Sequence, residues 1–222
     1  MCEKGAGEVR KLTALLELEQ YVNGLRAIIF DLDDTLYSEK DYVRSGYRQI
    51  AQAFPQIPDA ENVLWQAFLD GKQAIDTFLT SKHVYSDELK QKCLSIYRNQ
   101  IPDIQLYPDV RDMLVRLKKQ GYALGMITDG RPTGQRAKIR ALELESLVDE
   151  IIITDELGGE SFRKPCPLAF EQMRERLLPL CGGSLAWSDM CYVGDNIRKD
   201  FVAPAKLGMK CFHFVNGDGL YC

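Results

Sequence analysis

The stretch AIIFDLDDTLY, residues 27–37, sets four apolar residues directly before two carboxylates that are separated by one residue. A short apolar run of this kind is typical of a strand buried on both faces of a parallel sheet. Open α/β sheets bind ligands at the carboxyl ends of their strands, which is where Asp31 and Asp33 come. Two close carboxylates repel unless a cation or a shared proton intervenes. We therefore expect a small site here, although Asp is also common in turns and helix caps.

The composition indicates an ordinary globular protein with an acidic balance. The chain has 222 residues, of which 45% are hydrophobic and 27% are charged, and its net charge is −4. This length suffices for one domain, or for one domain with an inserted subdomain. Binding of nucleic acid is disfavoured because it usually needs a basic face. A small anionic substrate is compatible with the charge if a metal ion supplies local positive charge.

The sequence also predicts a cytoplasmic protein that does not enter a membrane. No apolar run reaches spanning length, and the N-terminus lacks the residue order of a signal peptide. The seven cysteines are scattered without a Cys-x-x-Cys pair, which disfavours a structural zinc site. Cys191 and Cys211 lie in apolar runs and are predicted to be buried, and no histidine is near Cys166 to activate it. With only His83 and His213 in the chain, a histidine base is disfavoured.

Hydrophobic spacing divides the chain into a helical block and a part in which strands and helices alternate. Apolar residues at helical intervals predict an all-helical insertion over residues 38–105, between core segments 1–37 and 106–222. Leucines before the first strand predict a helix over residues 8–22, within a helical extension 1–24. Repeated βα units imply an α/β fold with a parallel, doubly wound sheet. After the first strand near residue 27, the predicted strands lie at 122–127, 150–153, 190–193 and 210–214, and the predicted helices at 110–121, 133–144, 167–180 and 200–207.

Polar residues follow several of these strands. Thr128, Asp129 and Gly130 end the second strand, where a hydroxyl and backbone N–H groups can bind a phosphate or simply form a turn. Asp195 ends the fourth strand, and we expect it to join Asp31 and Asp33 around Mg²⁺, whose preferred ligands are oxygens. The alternative is that Asp195 and Asp200 are a turn former and a helix cap.

A lysine precedes a proline in the loop between the third and fourth strands. Lys164 stands before Pro165, which is predicted to open a helix. An ammonium group fixed at this place can lie over the site and neutralise negative charge. A single lysine in a loop is usually only solvated. Its position in chain order among the other candidates favours the functional interpretation.

In this order, the segments FDLDDTLY, ITDG, RKP and VGDNIRKD resemble the four motifs of the haloacid dehalogenase-like superfamily. The resemblance is to its phosphohydrolases with a helical cap inserted after the first motif, and it spans about residues 26–214. It implies a Rossmann-like parallel sheet with the strand order 5-4-1-2-3 and an all-helical cap subdomain.

The resemblance assigns roles to the acidic residues by position. Asp31 resembles the nucleophile and Asp33 the general acid and base. Asp31, the Asp33 carbonyl group and Asp195 resemble the ligands of Mg²⁺. Asp200 would orient metal-bound water or Lys164 without itself contacting the metal.

The resemblance also assigns the groups that bind the phosphoryl group. Thr128 resembles the hydroxyl that binds it, and Lys164 resembles the lysine that neutralises charge. Asp129 stands where many relatives have Asn, and its implied contribution is through the backbone N–H.

These roles predict a Mg²⁺-dependent phosphatase that hydrolyses a small phosphomonoester through an aspartyl phosphate. Asp33 would protonate the leaving alcohol and later accept a proton from water, if its pKa is raised. A haloacid dehalogenase is disfavoured because displacing halide from carbon needs neither Asp33 nor Asp195. A phosphomutase or phosphotransferase, or a non-catalytic regulatory protein that binds phosphate or Mg²⁺, stays open.

The expected partner is a small phosphorylated metabolite such as a sugar phosphate, a nucleotide or a phosphorylated acid. Several polar and aromatic residues are candidates for contacts to its leaving group, although a solvated or packing face is the alternative. These candidates are Tyr42, Arg44, Tyr47, Arg48, Lys72 and Arg131.

Overall fold

A six-stranded parallel sheet forms the centre of residues 9–220, the part of the chain that the computed structural model describes. The strands are β1 (Val9–Leu12), β2 (Ala27–Phe30), β3 (Ala123–Thr128), β4 (Glu150–Ile153), β5 (Met190–Gly194) and β6 (Lys210–Phe214). Their order is β1-β6-β5-β2-β3-β4, and every neighbouring pair is parallel. The α/β class is confirmed, and the five predicted strands have the implied order 5-4-1-2-3.

Nine α-helices accompany the sheet within residues 9–220. They are α1 (Glu39–Ala53), α2 (Ala60–Leu69), α3 (Ala74–Ser81), α4 (Asp87–Arg98), α5 (Val110–Lys119), α6 (Pro132–Ala141), α7 (Leu144–Leu147), α8 (Leu168–Leu177) and α9 (Val202–Leu207). The helix predicted over residues 133–144 is broken, because Glu143 takes a left-handed conformation with φ 55°. None of the helices in this part of the chain is long and apolar enough to cross a membrane.

The prediction of a helix over residues 8–22 is wrong. Val9–Leu12 is a strand that pairs with β6 at the edge of the sheet, and Leu15–Gln20 is a 3₁₀ helix. The leucines at 12, 15 and 18 are buried at intervals of three, which suits a 3₁₀ helix after a strand as well as it suits an α-helix. The first residues of this segment pair with the edge of β6, and this pairing makes them a strand and not part of a helix. Residues 1–8 lie outside the described part, so the rest of the predicted extension is not described.

Strand β2 is buried on both faces, as its apolar sequence predicts. Ile28 and Phe30 belong to a hydrophobic cluster on one side of the sheet, and Ala27 and Ile29 belong to a second cluster on the other. Side chains of a strand alternate between faces, so four consecutive apolar residues serve two cores. Buried Cys191 and Cys211 confirm the prediction for those thiols, and burial raises the pKa of Cys211 to about 12.

The helices α1 to α4 pack around a hydrophobic cluster of their own. Its members all fall between Val43 and Cys93 and include Leu64 and Phe78, which are fully buried. The two segments that connect these helices to the sheet lie side by side, because Tyr37 bridges to Leu106 and the Tyr107 N–H donates to the Leu36 carbonyl oxygen at 2.9 Å. The boundary of a subdomain at residues 38 and 105 stays a prediction.

Two leucines of α2 test how much the separate cluster contributes to stability. Leu64 is fully buried, whereas Leu69 on the same helix is 52% exposed. We expect Leu64→Ala to lower the free energy of unfolding by about 2–5 kcal/mol, because it leaves a cavity. The matched variant Leu69→Ala should change it by less than about 1 kcal/mol in urea denaturation. Equal effects of the two variants would contradict a packed cluster at Leu64.

Candidate active site

Three neighbouring strands deliver polar residues to one edge of the sheet. In the register of the sheet, Phe30 at the end of β2 lies opposite Met126 of β3 and Val193 of β5. The pairing continues one residue further, since the Asp31 N–H donates to the Val193 carbonyl oxygen at 2.8 Å. Because parallel strands end at the same edge, Asp31 and the residues that follow β3 and β5 meet there.

The carboxylates of Asp31, Asp195 and Asp200 form a cluster at this edge. One oxygen of each lies within 4.8 Å of the others. Burial raises the pKa of Asp31 to about 6, although Lys164 opposes the shift. Burial and the nearby Asp31 and Asp200 raise the pKa of Asp195 to about 8. Carboxylates this close together repel unless a cation or a proton lies among them, and their hard oxygen donors suit Mg²⁺.

Lys164 supplies a buried positive charge next to this cluster. Its Nζ lies 2.8 Å from Oδ1 of Asp31 and 2.8 Å from Oδ1 of Asp200, and it donates to the Tyr192 hydroxyl at 2.8 Å. Burial by itself would lower the pKa of Lys164, but Asp200 and Asp31 raise it well above its ordinary value. The lysine is therefore charged. The expectation that Pro165 opens a helix is wrong, because α8 begins at Leu168 and Pro165 follows a cis peptide bond.

Asp200 is held from two sides and has no exposed surface. Its Oδ2 accepts a hydrogen bond of 2.9 Å from the Asn196 N–H, while Oδ1 contacts Lys164. Gly194 makes room for it, since a Cβ at that position would lie 2.6 Å from Asp200 Oδ2. Of the two contacts that the resemblance implies for Asp200, the geometry provides the one with Lys164.

Asp33 is separated from the carboxylate cluster and has its own set of donors. Lys138 Nζ lies 2.7 Å from Oδ1, the Tyr37 hydroxyl donates to the same oxygen, and Gln135 Nε2 donates to Oδ2 at 2.9 Å. Burial would raise the pKa of Asp33, but Lys138 and these hydrogen bonds outweigh it, so the pKa is lowered. A raised pKa would have favoured the proposed acid role of Asp33, and the structure lowers it instead. Asp33 can contribute to a metal site through its carbonyl oxygen, since its carboxylate is engaged elsewhere.

The end of β3 adds more than the sequence predicts. Thr128 is fully buried, and its hydroxyl accepts a hydrogen bond from Gln135 Nε2. The Asp129 carboxylate accepts hydrogen bonds of 3.0 Å from the Lys164 N–H and from Lys199 Nζ. Burial would raise the pKa of Asp129, but Lys164 and Lys199 lower it. The prediction gave Asp129 only a backbone contribution, whereas its side chain fixes the loop that carries Lys164.

Two adjoining cavities open onto these residues. The inner cavity, of about 330 Å³, is lined by Asp31, Lys164, Asp195 and Lys199, among others. The outer cavity, of about 560 Å³, lies between α6 and the helices α1 and α4. Asp33, Glu39, Asp129 and Gly130 line both. The outer-cavity lining further contains Tyr42, Tyr97, Arg98, Asn99, Arg131, Thr133, Gly134, Gln135 and Lys138.

Of the six residues predicted to contact a leaving group, the outer cavity contains Tyr42 and Arg131. The other four do not line it. Arg44 pairs with Glu61, Arg48 with Asp103 and Lys72 with Asp70, and Tyr47 packs on Phe68 and Tyr97 and lines a separate cavity among the helices.

Sequence reasoning missed several lining residues, namely Glu39, Arg98, Asn99, Gln135, Lys138 and Lys199. A signal existed for Gln135 and Lys138. They are three residues apart on the helix after ITDG and so share a face.

A sequence model of the haloacid dehalogenase-like hydrolases matches residues 28–214. The chain belongs to this family. A glyceraldehyde 3-phosphate phosphatase from Methanocaldococcus jannaschii is 27% identical over 205 residues, which cover 87% of this chain and 86% of the relative. An (S)-2-haloacid dehalogenase 4A from Burkholderia cepacia is 25% identical over 194 residues, or 79% of this chain and 77% of the relative.

A solved structure gives the same fold. It is described as a candidate β-phosphoglucomutase from Thermotoga maritima, and it aligns with a TM-score of 0.62. The alignment covers 85% of this chain and 84% of that chain at 18% identity. At this identity the likeness supports the fold, while the chemistry rests on the residues described above.

The tight fit at Gly194 gives a stability test of the site. We expect Gly194→Ala to lower the free energy of unfolding by about 1–3 kcal/mol, because its methyl group would displace the pinned Asp200 carboxylate. Gly217→Ala is the matched control, since a Cβ there meets nothing within 4 Å. Both variants would be compared by urea denaturation. Equal stability of the two would show that Asp200 moves aside freely.

Proposed function

We propose that this protein is a Mg²⁺-dependent phosphatase that hydrolyses a small phosphomonoester through an aspartyl phosphate on Asp31. The observation that carries the proposal is the setting of Asp31. It lies at the edge of the inner cavity, with the ammonium of Lys164 on one oxygen and the carboxylates of Asp195 and Asp200 beside it. A nucleophilic carboxylate next to fixed positive charge and a cation site is what attack on a phosphate dianion requires.

The residues fit a magnesium ion through their oxygen donors. Asp31, Asp195 and the carbonyl group of Asp33 would hold it, and Asp200 would hold Lys164 in place beside it. When bound, the ion would supply positive charge that offsets the repulsion between the phosphate dianion and the carboxylates. Thr128, the backbone N–H of Asp129 and Lys164 would bind the phosphoryl oxygens.

The proposed reaction has two steps. In the first, an oxygen of Asp31 forms a bond to phosphorus, the bond to the leaving oxygen breaks, and Asp33 delivers a proton to that oxygen from its protonated form, which is the minor form because the pKa of Asp33 is lowered. In the second, Asp33 accepts a proton from a water molecule whose oxygen attacks phosphorus, which releases phosphate and restores Asp31. Lys138, Tyr37 and Gln135 favour the ionised form of Asp33, which is the form that the second step uses.

Phosphate-ester hydrolysis requires residues of this site that dehalogenation does not require. Displacement of halide from carbon needs an aspartate nucleophile but neither a cation site nor a group that protonates the leaving atom. This chain has a carboxylate cluster around Asp195, and Asp33 lines both cavities. These two features favour phosphorus over carbon as the centre that is attacked.

The outer cavity is the proposed place for the leaving group. Residues 38–105 would form a cap over it, with Tyr42, Arg98 and Asn99 on the cap side and Arg131 on the sheet side. Such a polar lining with two arginines suits a small leaving group with hydroxyl or acidic substituents. A cap of this kind would exclude water while Asp31 is attacked.

A panel of phosphomonoesters tests the proposed function. With Mg²⁺ present, the purified chain should release inorganic phosphate from sugar phosphates, nucleotides or phosphorylated acids, and EDTA should abolish the release. Asp31→Asn should lower kcat by at least about 1,000-fold, because the variant lacks the attacking oxygen. Full turnover by Asp31→Asn would rule out the aspartyl phosphate. Transfer of phosphate between carbons of one sugar would indicate a mutase, and tight phosphate binding without turnover a regulatory protein.

Thermal unfolding tests the cation site independently of activity. At about 100 times its Kd, Mg²⁺ should stabilise the protein by about 2.7 kcal/mol. For a chain of this length we expect a Tm increase of roughly 5–10 °C. Asp195→Asn should lose most of the increase, whereas Asp112→Asn, an exposed surface substitution on α5, should keep it. An unchanged increase in Asp195→Asn would contradict the proposed ligand set.

A further inference from the structure

Lys138 is a buried cation that no motif of the sequence marks. Its side chain is 6% exposed and its Nζ lies 2.7 Å from Oδ1 of Asp33. The same Nζ lies 4.4 Å from the centre of the Tyr42 ring on α1. It lines the outer cavity, on the side proposed for the leaving group, and does not line the inner one.

We propose that Lys138 is a positioning residue that holds the Asp33 carboxylate in the orientation needed to protonate the leaving oxygen. The proposal rests on the proposed phosphatase function and adds a residue to it. Lys138 acts through Asp33, so its removal should affect the part of the reaction that depends on proton delivery.

The hydrogen-bond pattern at Asp33 supports positioning. Lys138 and Tyr37 both bind Oδ1, whereas Gln135 binds Oδ2, so donors on both oxygens oppose rotation of the carboxylate. Gln135 also donates to Thr128, and Gln135 and Lys138 share one face of α6. Helix α6 thus ties the orientation of Asp33 to the strand end proposed to bind the phosphoryl group.

The energetics of burial also favour positioning over a purely structural role. Removing a lysine and a carboxylate from water costs several kcal/mol per ion, and a buried ion pair is often no more stable than apolar residues of equal volume. A salt bridge at Asp33 therefore has little reason to exist for folding alone. Besides Asp33, the groups near Lys138 include Glu39, whose charge also acts on it, and the rings of Tyr42 and Tyr37.

Comparison of two kinds of substrate isolates proton delivery. The departure of an alkyl alkoxide needs a proton, whereas 4-nitrophenolate leaves without one. The parameter kcat/KM reports the steps up to departure of the leaving group, so the later attack of water does not enter it. The test therefore measures kcat/KM for the best alkyl phosphate of the panel and for 4-nitrophenyl phosphate.

Removing the Lys138 charge raises the pKa of Asp33, but it also frees the carboxylate to rotate. We expect the loss of orientation to dominate, so that Lys138→Met lowers kcat/KM for the alkyl phosphate by about 100-fold, within the range that general acid catalysis contributes. The loss for 4-nitrophenyl phosphate should stay below about 3-fold. Lys138→Gln keeps a hydrogen-bond donor without the charge, so it should lose less kcat/KM, again mainly for the alkyl phosphate. It replaces Lys138→Met in the test if that variant does not fold. Arg140→Met, an exposed cation on the same helix, should leave both values unchanged.

A double-mutant cycle completes the test. In an Asp33→Asn background, adding Lys138→Met should lower kcat/KM for the alkyl phosphate by less than about 3-fold, because the residue that Lys138 positions has already lost its function. Equal losses on both substrates, or full loss from Lys138→Met in the Asp33→Asn background, would overturn the positioning role. Absence of phosphate release by the wild-type chain would instead overturn the proposed function.

Discussion

The contact of the Lys164 ammonium with Asp31 and Asp200 is the interaction on which the site depends. A carboxylate cluster of this density is strongly unfavourable away from water unless a positive charge lies among its members. Lys164 meets this condition with no exposed side-chain surface, and its backbone N–H is anchored by Asp129. The loop between β4 and α8, the turn after β3 and the segment after β5 therefore have to be in place together. The first two contribute Lys164 and Asp129, and the segment after β5 contributes both Asp195 and Asp200.

The sheet makes this convergence possible at small structural cost. Strand β2 is apolar on both faces, so its position is determined by packing, and the polar residues appear only where packing ends. The absence of a side chain at Gly194 lets the Asp200 carboxylate approach the backbone of β5. Function is thus concentrated at one edge, while the rest of the sheet is free to be a close-packed core.

The sequence predicted the parts of the molecule that local patterns encode. Apolar runs located β2 to β6, and their ends placed the candidate residues at one edge, because side-chain period and parallel topology follow from general rules. Pairing at the edge of the sheet is not local. The helical spacing of the leucines near residue 15 therefore led to a wrong helix where Val9–Leu12 is a strand.

Charge partners were the least predictable feature for the same reason. Arg44, Arg48 and Lys72 were candidates for contacts to the leaving group, but each has a carboxylate partner on the surface. Lys138 was not among the predicted site residues, and it is a buried partner of Asp33. Whether a cation is solvated or paired depends on which distant carboxylate it meets, and that is set by the packing of helices.

Tyr37 links the connection between the helical block and the sheet to the candidate active site. It bridges to Leu106 where the two connecting segments run side by side, and its hydroxyl is one of the donors that hold Asp33. A hinge usually lies far from the reacting groups, so that its bending leaves them undisturbed. In this chain the side chain of a residue in the connecting segment, Tyr37, binds Asp33 directly. A change in the path of this connection would therefore move one of the donors that hold the Asp33 carboxylate.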